Sequence, residues 1–191
     1  KSMHVLATEL KQGMIFKHEN QPYVILESQK LSVGGYGGTI KMRAENLITG
    51  KLYPLTFRLT EKFEEVEIEK FKAVFIYGHR GQFWFTKGEA KERFSLDEKI
   101  LEDKAKYLKP NLEVEAFLYE GKTINVKLPI KISYKVIEAP PGVKGNTAQG
   151  GTKQVILEGG LALNTPLFVN QDDTIVVNTA TGEYVERLEK A

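Results

Sequence analysis

A tyrosine held between glycines is the most chemically suggestive feature of this chain: Ser32-Val33-Gly34-Gly35-Tyr36-Gly37-Gly38. Glycine tolerates positive φ and admits close backbone approach, so such a loop offers one aromatic ring and a set of unencumbered N–H donors. That is the chemistry of non-covalent recognition, in which the ring stacks and the amides donate. Lys30, Lys41 and Arg43 trim its flanks with positive charge, and Lys51 and Arg58 follow. Lys41, Arg43, Lys51 and Arg58 are the candidates for neutralising phosphates; each lost contact would weaken binding and flatten its salt dependence. The same loop also reads as a plain solvent-exposed turn. A second glycine-rich stretch, PPGVKGNTAQGGTK over residues 140–153, carries Lys144 and Lys153 among many backbone amides. It reads either as a phosphate cradle or as a polar connection.

Covalent catalysis has little to work with here. There is no cysteine, and the three histidines, His4, His18 and His79, are scattered. A nucleophile needs a base and an orienting acid beside it, and no such grouping occurs. The lack of thiols excludes disulfides and thiolate metal sites and suits a reducing compartment. Gly150-Gly151-Thr152-Lys153 lacks the glycine spacing of a nucleotide-binding strand-to-helix loop. No enzyme activity, cofactor or metal is therefore expected. The net charge of +2 creates no global basic field, so nucleic-acid binding needs locally arranged charge. No apolar run approaches the roughly 18 residues of a membrane span, and no secretion-type apolar segment opens the chain; no membrane partner is expected. Lys1-Ser2 ahead of Met3 read as added residues and are set aside.

The elements that must position these groups are mostly short strands. Apolar pieces at Met14-Ile15-Phe16 and Tyr23-Val24-Ile25-Leu26 flank a turn over residues 19–22. Two extended runs then meet at the glycine loop, a hairpin pattern, and a turn at Thr49-Gly50 leads to a further strand. This predicts a small SH3-like barrel over residues 1–65. Over residues 66–129, a Gly-His-Arg-Gly turn joins runs containing Phe75, Tyr77, Phe83, Trp84 and Phe85. These rings either fill a core or stack on bases. Residues 95–108 carry a helical stripe of Leu96, Ile100, Leu101, Ala105 and Leu108, with Ser95 as N-cap and Pro110 as stop. A hairpin turning at Glu120-Gly121-Lys122 completes an oligonucleotide-binding (OB) type barrel. The alternating Lys131-Ile132-Ser133-Tyr134-Lys135-Val136 strand restarts the pattern, and residues 130–191 read as a second such barrel. The fold class is all-β with one short helix.

Specific segments then carry a resemblance. Gly13-Met14-Ile15-Phe16, Thr49-Gly50-Lys51, APPGVKGNTAQGGTKQVILEGG, TPLFV and VVNTATGEYVER stand in the order found in the bacterial elongation factor P family, which the whole chain resembles. The resemblance implies an SH3-like (KOW-like) first domain and two OB-type barrels in an L-shaped, tRNA-like arrangement. It implies a monomer in the bacterial cytoplasm whose partners are the ribosome, peptidyl-tRNA and ribosomal RNA. The family binds between the peptidyl and exit sites and helps peptidyl-tRNA react when consecutive prolines stall bond formation. Positioning alone contributes several kcal/mol to such a reaction.

By resemblance, the hairpin tip, Gly34, Gly35, Tyr36 and Gly37, faces the tRNA acceptor end. Gly145, Asn146 and Thr147 would approach the exit-site codon and small subunit, with Asn146 where an aspartate is common. Tyr184 and Arg187 would lie near peptidyl-tRNA. In the family the tip residue is usually a lysine or arginine, often modified. Here Gly35 stands at that position with Tyr36 beside it, so no such modification occurs there. Two readings follow: a factor whose tip works through Tyr36 and backbone amides, or a ribosome-binding paralogue with altered or lost proline rescue. A third class stays open, a non-ribosomal module that uses Tyr36 as an anchor for a protein pocket.

Overall fold

The computed structural model describes residues 3–32, 34, 37–88, 91–142 and 151–191. Three antiparallel sheets follow one another along the chain, the all-β class expected. No helix among the described residues is long and apolar enough to cross a membrane. The chain divides into two compact units: residues 1–71 with 116–125, and residues 72–115 with 126–191.

The first sheet has six strands: β1 (Met3–Leu6), β2 (Ile15–His18), β3 (Gln21–Ser32), β4 (Gly38–Asn46), β5 (Leu52–Arg58) and β6 (Lys62–Glu65), in the order β1-β6-β2-β3-β4-β5. Alternation decides which side is buried. On β4, Ile40, Met42 and Ala44 turn inward, and they join Phe16, Tyr23, Ile25 and Phe63 in one core. Phe16 meets Phe57 and Phe63 edge-on at 6.1 and 5.3 Å. The β2–β3 connection is the two-residue turn Glu19-Asn20, with φ of +48° and +62°, the backbone that matches strand twist. The β4–β5 connection is held by a buried side chain. Asn46 Oδ1 accepts from the N–H groups of Ile48 and Thr49 at 2.9 and 3.0 Å, and its amide donates to Gln21.

The second sheet, β11-β10-β7-β8-β9, contains β7 (Glu69–His79), β8 (Gln82–Lys87), β9 (Arg93–Asp97), β10 (Glu113–Tyr119) and β11 (Lys122–Lys127). Arg80-Gly81 and Glu120-Gly121 form two further turns with both residues at positive φ. Phe75 and Phe85 are buried while Tyr77 is 44% exposed, so the aromatics divide between core and surface. Tyr77 and the half-buried Trp84 stack at 6.4 Å on the outer side. The expected helix over residues 95–108 is a correction. Ser95 lies in β9, opposite Trp84. Asp97, not Ser95, caps the helix, accepting from Lys99 N–H at 2.8 Å. Only α1 (Glu98–Leu101) is α-helical, because Glu102 turns to φ +47° and the chain continues as a 3-10 segment to Tyr107.

The third sheet, β14-β13-β12-β15-β16, is built from β12 (Lys131–Glu138), β13 (Thr152–Leu157), β14 (Ala162–Pro166), β15 (Thr174–Asn178) and β16 (Glu183–Glu189). Within the second unit a knot of polar groups ties β12 to the segment after α1. Tyr134 Oη donates to the Tyr107 carbonyl at 2.6 Å. Lys109 Nζ donates to the Ser133 carbonyl at 2.6 Å and pairs with Glu158 at 2.7 Å. Burial pushes the Glu158 carboxyl up, but Lys109 and the Lys135 N–H more than offset this and hold it below the usual glutamate range. The turn after β15 repeats the earlier device, with Asn178 Oδ1 accepting from Ala180 and Thr181 and Gly182 closing it at φ +75°.

Candidate nucleic-acid interface

The β3–β4 hairpin outruns the core beneath it. Its last paired residues are Ser32 and Gly38, and residues 27–32 are all exposed. Two of its glycines are required for separate reasons. Gly37 has φ +91°, a backbone that side chains rarely adopt. A Cβ on Gly38 would lie 2.7 Å from both the Leu31 carbonyl and Leu59 Cδ1. Gly34 meets neither restriction. Gly38→Ala should therefore destabilise the first unit by about 1–3 kcal/mol, and Gly34→Ala should leave it unchanged. Amide hydrogen exchange at Ile40 and Met42 reads the difference. Gly35 and Tyr36 lie outside the described residues, as do Gly145, Asn146, Thr147 and Lys144.

Cross-strand register places the stem cations. Lys41 and Arg43 stand on the outer side of β4, and Arg58 on β5 lies opposite Thr39, so these three share one face. Lys41 is opposite Thr56, which makes Arg58 its diagonal neighbour at about 7–8 Å. Arg43 pairs with Glu27 at 2.8 Å, both exposed; such a pair contributes little stability but compensates part of the charge that Arg43 offers a partner. Among the described residues, Lys41 and Arg58 side chains form no ion pair. Lys51 stands apart from the other three, at the turn before β5, where its N–H bonds Thr49 Oγ1. Lys30 is opposite Ile40 and so belongs to the other face of the hairpin. The structure thus brings together three of the four expected phosphate-neutralising residues.

In the second unit Tyr184 and Arg187 occupy β16, opposite the buried Val177 and Ile175. A bulge between them lets both face inward at the rim. Burial raises the Tyr184 hydroxyl above the usual tyrosine range. Arg187 is clamped: Nη1 donates to Asp173 Oδ2 at 3.2 Å and to the Phe168 carbonyl at 3.1 Å, with the guanidinium 4.9 Å over the Phe168 ring. Asp173 itself is fully buried and accepts further N–H bonds from Asn170 and Ala191 at 2.8 and 2.9 Å. Lys153, a candidate phosphate ligand, donates to the Pro140 carbonyl at 2.9 Å and pins together the two ends of its glycine-rich loop. Sequence reasoning missed Asp173, which beside Asp172 looks like part of any polar turn.

Three family models match successive segments of the chain. Residues 6–63 match the family model described as the elongation factor P (EF-P) KOW-like domain. Residues 68–126 match the EF-P OB domain, and residues 132–187 match elongation factor P, C-terminal. The elongation factor P of Moorella thermoacetica is 33% identical over 183 residues, covering 96% of this chain and 99% of that protein. That of Aquifex aeolicus is 31% identical, covering 97% and 100%; that of Thermosipho africanus is 35% identical, covering 93% and 96%. Among solved structures, eukaryotic translation initiation factor 5A from Methanococcus jannaschii is 18% identical with a TM-score of 0.50. It covers 66% of this chain and 95% of its own, a likeness of fold.

Proposed function

Because this chain belongs to the elongation factor P family, a family of translation elongation factors, we propose that it acts on the ribosome between the peptidyl and exit sites. There it steadies peptidyl-tRNA and stimulates peptide-bond formation at consecutive prolines. The observation that carries this reading is the β3–β4 hairpin, which extends past its own core and ends on the required glycines Gly37 and Gly38. Such a finger reaches a substrate without any chemistry of its own; its contribution is positioning. With Gly35 at the tip in place of a lysine or arginine, Tyr36 supplies the contact by stacking on the terminal tRNA nucleotides. Stacking of this kind contributes roughly 1–3 kcal/mol per base.

The same reading assigns a first domain to residues 1–65, a middle one to 66–129 and a last one to 130–191, arranged as an L that imitates tRNA. Lys41, Arg43, Lys51 and Arg58 neutralise phosphates, residues 145–147 approach the exit-site codon, and Tyr184 with Arg187 approaches peptidyl-tRNA. It works as a monomer in the bacterial cytoplasm. The test is translation of a reporter with three consecutive prolines in a system lacking the endogenous factor. Full-length product should rise when the protein is added, and Tyr36→Ala should lose most of that gain. A second reading is favoured by the absence of any basic residue from 32 to 38: a ribosome-binding paralogue without proline rescue. Ribosome binding with no relief of the stall would select it.

A further inference from the structure

The first unit also carries a cleft of the opposite electrical character. β6 runs between β1 and β2, which sets Glu64 opposite both His4 and Lys17, and Glu65 opposite Met3. Beyond the strand, Glu67 continues the same wall, and Tyr119 and Glu120 at the end of β10 form the other. Together they line an open cavity of about 400 Å³. Four glutamates, Glu64, Glu65, Glu67 and Glu120, contribute to its lining, with one neighbouring cation, Lys17, whose Nζ lies 3.2 Å from Glu120 Oε1. Tyr119 is only 8% exposed, and its hydroxyl is a buried side-chain oxygen with no hydrogen-bond partner. Burial is the largest influence on this hydroxyl, and Glu120 and Lys17 lie close enough to act on it as well. Buried polar groups are nearly always satisfied, so an orphan hydroxyl among the residues of an anionic cleft marks a place where a hydrogen-bond partner is missing.

We propose that this cleft receives the guanidinium of an arginine side chain presented by a partner protein. The chemistry narrows the choice. Carboxylates repel phosphate, so the cleft cannot be a nucleic-acid contact. Among the described residues no group of three acidic or histidine side chains is placed to hold a metal ion. What remains is an organic cation. A guanidinium carries five N–H donors in a planar fork, which serves two carboxylates and a third oxygen at once. It is also more weakly hydrated than an ammonium, which suits a wall made partly of a buried tyrosine and Met3. The hydroxyl is enclosed, so the guanidinium must displace neighbouring side chains to reach it. The inference does not depend on the ribosomal reading, since it concerns a ligand of the other charge on a different surface.

The test is a titration of the full chain, followed by amide NMR at low salt, with three probes: a blocked tri-arginine peptide, a blocked tri-lysine peptide and spermidine. Tri-arginine should shift the amides of residues 64–67, 119 and 120 in a saturable way and bind at least about threefold more tightly than either other probe. Glu64→Gln with Glu67→Gln should weaken it about tenfold with the circular dichroism spectrum unchanged. Tyr119→Phe should keep or raise the thermal midpoint, since it removes an unpaired hydroxyl, while erasing the preference for arginine. Equal binding of the three probes, shifts confined to other residues, or full affinity in either variant would overturn the proposal. No ribosome enters the assay, so failure here leaves the ribosomal reading intact, and the reverse holds.

Discussion

Asp173→Ala should lower the stability of the second unit by about 3 kcal/mol, an effect typical of opening a buried ion pair. The carboxylate is fully buried and serves three donors, the Arg187 guanidinium and the N–H groups of Asn170 and Ala191. Alanine leaves all three without their acceptor, whereas Arg187, still partly exposed, can turn to water. Urea unfolding followed by fluorescence of Trp84, the single tryptophan, measures the loss, because Trp84 belongs to the same unit. A change below about 1 kcal/mol would show that the clamp is ornamental. The carboxyl also sets an acid limit. Burial pushes its titration up, but the two N–H donors and Arg187 outweigh this and hold it below the ordinary aspartate value of 3.8. A lowered folded-state value means the stabilisation is complete above pH 3.8 and disappears as the pH falls through the depressed value. Asp173→Asn should therefore flatten stability against pH in that acid window and leave its neutral slope alone.

The second large effect concerns binding. Reversing Lys41 and Arg58 together to glutamate should reduce ribosome affinity about 100-fold at low salt, since like charges now face phosphate. Replacing them by alanine should cost about tenfold and reduce the salt slope by about one for each residue. Arg43→Ala should do less, because Glu27 already compensates that charge, and Lys51→Ala, at the far end of β5, should separate from the other three. Equilibrium binding across a series of salt concentrations provides every number needed. An affinity indifferent to the double reversal would remove this face of the hairpin from the interface.

Local chemistry made much of the architecture legible. Arg80-Gly81 and Glu120-Gly121 announce two-residue turns by residue type, and both adopt the positive φ values such turns need. The alternation from Lys131 to Val136 maps onto β12, with Ile132, Tyr134 and Val136 buried. The helix misled because its apolar stripe is genuine while its start is not. Leu96 faces the core from a strand, and only after Asp97 does the chain coil. The stem cations were recognisable as a group, but the face each occupies depends on register, which separated Lys30 from Lys41. Asp173 and the acidic cleft were invisible for a deeper reason. Each unites residues far apart in the chain, Asp173 with Ala191 and Glu64 with Tyr119, and no short window contains both halves.

The knot around Lys109 and Tyr134 bears on how the molecule comes apart. Its bonds cross from the segment after α1 to β12 and Glu158, so the second sheet's portion of the unit cannot loosen without stripping partners from the third. A calorimetric scan should record one endotherm for residues 72–115 and 126–191, and Tyr134→Phe should broaden or divide it. The tryptophan signal thus doubles as a remote gauge of lesions planted among the last sixty residues.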